Sequence, residues 1–208
     1  MKQKAVIVFL SAAVCLASHA QAQMGGGPGG GMGSIDPGGD QPLTGSVELP
    51  PEPEARAEDL RLNGKCDQAI PILRRLAAKG PGYGISQYNL GLCLYDLADA
   101  EPDAKRAANL QHEAAEYIVE AANNGFPGAQ KRLVTIYLDG TGIASDPVEA
   151  GKWSLLYHAN GTRQALGLPD ISSDVQARLD SALTQKNWDE AQSRAASWSP
   201  PPGLDAGN

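Results

Sequence analysis

The chain has 208 residues, 42% of them hydrophobic, and its 17 basic and 24 acidic side chains give a formal net charge of −7. An acidic chain without a basic patch repels phosphate backbones and anionic bilayers, so binding to nucleic acids or to anionic membrane surfaces is disfavoured. The length allows one domain, and the organisation of the sequence indicates that less than the full length folds.

The amino terminus has the features of a secretory signal peptide, which we assign to residues 1–22. Lys2 and Lys4 precede an apolar run over residues 5–17, and Ala20-Gln21-Ala22 offers small residues for cleavage. The run is too short to span a bilayer and no other segment is apolar enough, which predicts no membrane span. Without the two lysines, fifteen basic and twenty-four acidic residues remain, a charge of about −9. The expected location is the periplasm or the external medium.

Residues 23–53 form a segment rich in glycine and proline, with few apolar residues and no periodicity. Such a composition cannot offset the entropy of ordering, and it predicts a flexible, disordered linker. A Gly-x-Gly-x-x-Gly spacing occurs within it, but the strand and helix that flank a dinucleotide site are missing. No cofactor is therefore expected.

Helical periodicity begins near Glu54, and we assign the folded domain to residues 54–198. The spacing predicts an all-α fold with helices at residues 54–63, 66–79, 85–99, 105–124, 127–138, 146–160, 173–183 and 185–198. The last two helices have N-cap candidates at Ser172 and Thr184, and they are predicted to cap the domain. Residues 199–208 contain three successive prolines and are predicted to form a disordered tail.

Three glycines at the ends of helix-like segments indicate an internal repeat. Gly80, Gly125 and Gly161 each follow an alanine by eleven residues, and larger or apolar residues stand eight and four positions before each glycine. These offsets put the side chains on one helical face, and a closing glycine suits the left-handed C′ position. The glycines are 45 and then 36 residues apart, which predicts a longer loop between helices in the first unit, around residues 99–105.

The second unit carries a specific pattern: Ala129-Gln130, Leu133, Tyr137, Gly140, Gly142, Asp146, Ala150, Trp153 and Gly161. Residues 125–161 thereby resemble the Sel-one-like repeat, an α/α repeat related to the tetratricopeptide repeat. The resemblance is moderate over residues 80–125, and residues 54–79 resemble a tetratricopeptide half-site. Val134 departs from the family's glycine, and Tyr157-His158 from its alanine pair.

This resemblance implies an architecture and a set of core positions. The architecture is a short α/α solenoid of about two and a half helix pairs, with a C-terminal capping pair. The implied core positions are Ala69, Leu90, Ala114, Tyr117, Leu133, Tyr137, Gly140, Gly142, Ala150, Trp153 and Gly161.

Two cysteines remain after the signal peptide, Cys66 and Cys93. Cys66 starts one predicted helix and Cys93 lies late in the next, so the two side chains could approach. In an oxidising compartment such a pair favours a disulfide that joins the half-site to the first full repeat. The alternative is two buried thiols, because cysteine is among the most buried residue types.

One string suggests catalysis, the run from His112 to Glu116. In a zinc metalloprotease helix a second histidine would stand at Glu116, and Ala114 is a core position of the repeat. The polar face of a packing helix is therefore the favoured interpretation. No third metal ligand and no serine-nucleophile motif is present, so we predict no catalytic residue and no metal site.

In repeats of this kind the first helix of each pair lines the concave side, as the resemblance implies. The non-core positions on those helices are Tyr88, Asn89, Leu92, Lys131, Arg132 and Thr135. We predict that these residues contact a protein or peptide partner. The alternative is an ordinary solvated helix surface.

The sequence favours an exported bacterial protein that acts as a protein-interaction scaffold in the envelope, as an adaptor or regulator. One alternative is an envelope hydrolase of the kind claimed for some exported repeat relatives, which would need a pocket with converging polar groups. Another is a purely structural tether that uses the glycine-rich segment as a spacer. The identity of the partner and the oligomeric state stay open.

Overall fold

The computed structural model describes residues 52–201, and this part of the chain is all helical. Helix accounts for 77% of it, and it contains no strand. The all-α prediction is thereby confirmed for these residues. The predicted signal peptide, nearly all of the predicted linker and residues 202–208 of the tail lie outside the described residues.

Residues 52–201 form nine α-helices, which we number in chain order. They are α1 Pro53–Leu62, α2 Cys66–Ala77, α3 Gly84–Ala100, α4 Ala104–Asn123, α5 Pro127–Asp139, α6 Pro147–Ala159, α7 Gly161–Ala165, α8 Ser173–Ala182 and α9 Gln185–Ala196. A single 3-10 turn, Pro81–Tyr83, precedes α3. The eight predicted helices are all present with ends within two residues of the prediction, whereas α7 was not predicted.

Local capping chemistry explains where several helices begin. Pro127 and Pro147 occupy the first turns of α5 and α6, where a missing backbone N–H has no cost. Asp146 caps α6, because its carboxylate accepts the backbone N–H groups of Val148 and Glu149 at 2.9 and 3.1 Å. These starts are fixed by short-range sequence, which is why periodicity and capping signals located them.

Each helix from α1 to α6 packs against its neighbours in sequence, so the chain advances as a series of helical hairpins. The chain then returns through α9, which packs on α6, while α8 touches both α5 and α6. One connected core runs between the helices. The close approach of α3 and α4 depends on Gly91, where a Cβ atom would lie 2.7 Å from Cδ1 of Ile118.

The connection between α3 and α4 is shorter than predicted. It contains only residues 101–103. Helix α3 ends at Ala100, because Glu101 precedes a proline and is extended, with φ −81° and ψ 117°. Asp103 then caps α4 by accepting the backbone N–H of Arg106 at 2.8 Å. The extra length of this unit lies in its helices, which have 17 and 20 residues against 13 each in α5 and α6.

The prediction that Gly161 closes α6 is wrong. Asn160 leaves the helix with extended dihedrals, and its side chain accepts the backbone N–H of Arg163 at 2.9 Å to begin α7. Gly161 is the exposed first residue of that short helix. Gly80 and Gly125, by contrast, have positive φ values of 104° and 79°. After α6 the chain thus turns through the capping residue Asn160, and not through a left-handed glycine as it does at Gly80 and Gly125.

The other implied core positions fall into three groups. Six are buried: Ala69, Leu90, Ala114, Leu133, Ala150 and Trp153. Tyr117 and Tyr137 are partly buried and pack against the core. Gly140 and Gly142 adopt positive φ values of 71° and 78° in the loop between α5 and α6.

Helix α9 covers the apolar side of α6. The ring of Trp198 meets Trp153 edge-to-face, with centroids 6.3 Å apart. Ala191 of α9 is fully buried, and it would lie 3.2 Å from a Cβ atom placed on Gly151. Arg194 adds an ion pair to Glu149 of α6 at 2.8 Å. The C-terminal helix therefore shields core residues that would otherwise face solvent.

The structure joins Cys66 of α2 to Cys93 of α3. Their sulfur atoms are 2.16 Å apart. Their Cα atoms are 5.2 Å apart, and this Cα–Cα distance lies within the range that disulfides span. Both residues are buried. The bridge ties the first helix pair to the second.

Reduction of this disulfide is expected to lower the free energy of unfolding by about 3 kcal/mol, because the bridge restrains the unfolded chain. The sequence separation of its ends is 27 residues. Urea unfolding of the protein with and without reductant measures the effect, and a Cys66→Ala/Cys93→Ala variant should not respond to reductant. Mass spectrometry that finds two free thiols in protein isolated without reductant would contradict the bridge.

Candidate functional site

Helices α1, α3 and α5 present a set of side chains that we call the α1–α3–α5 face. It is defined by Arg61, Tyr88, Leu92, Arg132 and Thr135, all at least partly exposed. Tyr88 and Leu92 are four residues apart on α3, and Arg132 and Thr135 are three apart on α5, so each pair shares one side of its helix. Four of the six predicted contact residues therefore belong to this face.

The ring of Tyr88 is held in place from the α5 side. It packs against Phe126 with ring centroids 5.1 Å apart and an interplanar angle of 47°. Gly128 makes room for this pair, since a Cβ atom there would lie 2.9 Å from Phe126 and 3.4 Å from Tyr88. The aromatic side chain is thus positioned before any partner binds.

Two arginines act on this ring electrostatically. Burial raises the pKa of Tyr88, while the positive charges of Arg132 and Arg61 lower it. The guanidinium carbon of Arg132 also lies 5.5 Å from the ring centroid of Tyr95, in a cation–π contact. Tyr88 therefore lies in the field of cations from both α1 and α5.

Arg61 and Arg132 are two of the four arginines, with Arg56 and Arg75, that have no carboxylate partner in the described region. Within residues 52–201, no carboxylate lies at ion-pair distance from Arg61 or Arg132. Arg61 carries a solvent-shielded Nε that makes no hydrogen bond there. The arginines that do pair with carboxylates in this range are Arg74, Arg106, Arg163, Arg178 and Arg194.

Tyr95, beneath Arg132, supplies a pH-dependent readout of the face. Burial raises its pKa to about 12 while the Arg132 charge works to lower it, and its hydroxyl donates to the Thr141 carbonyl at 3.1 Å. A tyrosine in the unfolded chain ionises near pH 10. The neutral Tyr95 phenol therefore stabilises the folded state fully below pH ~10, and this contribution is lost as the pH rises toward 12. We expect Arg132→Ala to raise the pKa of Tyr95 further.

Ultraviolet titration of tyrosinate measures this pKa, and Tyr95→Phe identifies the transition that belongs to Tyr95. A Tyr95 pKa that is the same in Arg132→Ala and in the wild type would contradict the contact between the two side chains.

Two of the six predicted contacts have structural positions instead. Asn89 is only 5% exposed. Lys131 donates from Nζ to the carbonyls of Pro169 and Asp170 at 3.3 and 2.9 Å, and it lies 5.6 Å from the Tyr157 ring. Lys131 therefore holds the segment that leads into α8.

The same segment accounts for the large side chain at position 157, which the resemblance described above does not explain. Tyr157 is buried, and its hydroxyl donates to the Pro169 carbonyl at 2.6 Å. The guanidinium carbon of Arg163 lies 4.9 Å from its ring. The large side chain fills the space under the segment that leads into α8.

Arg61 was missed by the sequence analysis. The rule that selected α3 and α5, namely the first helix of each pair, applies equally to α1. Arg61 lies in the last turn of that helix. Applying the rule to α1 would have found it.

The string from His112 to Glu116 is engaged in contacts between helices. The Nδ1 of His112 donates to the Gly142 carbonyl at 2.9 Å, and its Nε2 lies 3.5 Å from a carboxylate oxygen of Glu116. Glu113 pairs with Arg74 of α2 and lines a cleft of about 360 Å³. His112 thus holds the loop between α5 and α6 against α4, while Glu113 reaches a different helix.

Two further features of the described region bear on function. None of its helices combines the length and the hydropathy needed to cross a bilayer. Its His, Cys, Asp and Glu side chains form no group of three or more that could hold a metal ion.

Compared with known proteins, the chain matches no family model, no curated protein and no solved structure.

Proposed function

We propose that this protein is an exported helical-repeat scaffold that binds a protein or peptide partner in the bacterial envelope through its α1–α3–α5 face. In this proposal the helices form a short solenoid of about two and a half Sel-one-like units, with the C-terminal helices as a cap. The partner meets side chains that are already in place, so little affinity is lost to ordering the receptor.

Two buried glutamines support the repeat. Gln87 of α3 and Gln130 of α5 are 43 residues apart, and both are fully buried. Each accepts a hydrogen bond from an asparagine at the end of the following long helix. Asn124 donates to Gln87 at 2.7 Å, and Asn160 donates to Gln130 at 2.9 Å. The same polar contact at the same place in two successive helix pairs is what an internal repeat would produce.

The observation that carries the binding proposal is the fixed arrangement on the α1–α3–α5 face. Tyr88 is held by Phe126, and Arg132 lies over Tyr95, so an aromatic and a cationic group are presented together. Tyrosine and arginine are, with tryptophan, the residue types enriched at the energetic centres of protein interfaces. Leu92, partly exposed one turn along α3, adds apolar surface to the pair.

Affinity capture from envelope extracts tests the proposal. Arg132→Glu and Leu92→Ser should each lower recovery of the partner at least tenfold, the loss expected at an interface centre, while circular dichroism shows an unchanged helix content. Arg75→Glu is the matched control, because Arg75 is exposed on α2 and hydrogen-bonds only to its own helix, at the Pro71 carbonyl. Equal recovery with all three variants would remove the face from consideration.

A further inference from the structure

We infer that the α1–α3–α5 face takes an acidic peptide, with a carboxylate on Arg61, a second carboxylate on Arg132, and an apolar side chain against Tyr88 and Leu92. This inference rests on the proposed function, since it names the chemistry of the partner at the same face. It commits to an extended peptide that carries at least two carboxylates.

Neither guanidinium group has a carboxylate partner within the described region. Arginine forms paired, charge-assisted hydrogen bonds with carboxylates, and five arginines of the described region have such partners. Arg61 and Arg132 have none there, although Arg61 is partly exposed and Arg132 is exposed. A carboxylate of a bound peptide would supply the ion-pair partner that each of these two arginines lacks within the fold.

The two arginines lie beside the same helix, α3. Helix α1, which carries Arg61, packs against α3, and the guanidinium carbon of Arg132 lies 5.5 Å from the ring centroid of Tyr95 on α3. Both positive charges also act on the Tyr88 phenol of that helix. The nearest acid along the same stripe of α3, Asp96, lies toward α2, with a carboxylate oxygen 3.7 Å from Cys66 Sγ. The positive charge at Tyr88 is therefore not cancelled from that side.

Among anionic partners, an acidic peptide fits this face better than a nucleic acid does. A nucleic acid brings many phosphates and needs a broad basic surface, whereas the chain carries a net charge of −7 and the face offers two arginines. Two carboxylates beside an apolar residue match two arginines beside Tyr88 and Leu92.

Fluorescence anisotropy with a defined probe tests the inference on the full mature chain. The probe is a fluorescein-labelled nonapeptide of alternating glutamate and leucine, and its control has glutamine in place of each glutamate. Arg61→Gln and Arg132→Gln should each weaken binding of the acidic probe about tenfold, the loss expected for one charge-assisted contact. Arg75→Gln, which removes the same charge from α2, should leave binding within about twofold.

The inference fails if the wild type prefers the glutamine peptide or binds neither peptide. It also fails if Arg75→Gln weakens binding as much as the variants on the face, because general charge attraction would then explain the affinity. Capture from envelope extracts separates this failure from that of the proposed function. Partner recovery that still depends on Arg132 and Leu92, without binding of the acidic probe, would leave the scaffold in place and remove its acidic ligand.

Discussion

Gly142→Ala is expected to lower the free energy of unfolding by about 3 kcal/mol or more. A Cβ atom at this position would lie 2.1 Å from the carbonyl oxygen of Gln111 and 2.6 Å from its carbonyl carbon, both in the backbone of α4. Backbone atoms inside a helix cannot move aside as a flexible side chain can, and overpacking of this kind costs roughly 1–3 kcal/mol. The φ of 78° adds backbone strain of roughly 1 kcal/mol for any residue with a Cβ atom.

Urea unfolding measures this effect, and two other glycines separate its causes. Gly140 has a φ of 71°, and its Cβ position is 3.3 Å from the backbone nitrogen of Ser145, a tight contact but not an overlap, so alanine there should cost about 1–2 kcal/mol. Gly161 is exposed and has open space around it, so alanine there should stay within about 0.5 kcal/mol of the wild type. A Gly142→Ala protein as stable as Gly161→Ala would contradict the close contact between this loop and α4.

Trp153→Ala is expected to cost about 4 kcal/mol, the range for removing a large aromatic side chain from a core. The indole is 1% exposed, its ring meets Trp198 of the terminal region, and Lys152 Nζ lies 4.3 Å from its centroid. Its loss would open a cavity between α6 and α9, where the C-terminal helix covers the rest of the fold.

Thermal and urea unfolding of Trp153→Ala should be compared with Trp188→Ala, since both remove a tryptophan near the α6–α9 contact. Trp188 is only partly buried, so its loss should cost roughly 1–2 kcal/mol. Equal losses would contradict the central position of Trp153 between these helices.

The helices could be predicted because their signals are local. Amphipathic spacing, prolines in first turns and capping residues such as Asp146 act within one or two turns, and the structure begins and ends its helices where they indicate. Helix α7 was missed because five residues are too few to show a period. Gly161 was misassigned because the capping side chain of Asn160 achieves the turn without a left-handed residue.

The candidate site was only partly predictable, because burial depends on which helices meet. Helix α3 packs against α1, α2 and α4, which leaves a narrow exposed stripe and buries Asn89 next to Tyr88. Lys131 is held by carbonyls 38 and 39 residues further along the chain. The Cα separation of Cys66 and Cys93 depends on the relative placement of α2 and α3. Contacts between residues this far apart in the chain cannot be predicted from the periodicity or spacing of the sequence.

Site-specific photo-crosslinking in living cells tests the scaffold proposal most directly. A photoreactive phenylalanine at Leu92 or Thr135, both on the α1–α3–α5 face, is expected to give one discrete adduct of higher mass. The same residue at Glu116, which is exposed on α4 outside that face, is expected to give none. Adducts of equal yield at Glu116, or no adduct at Leu92 and Thr135, would contradict binding through this face.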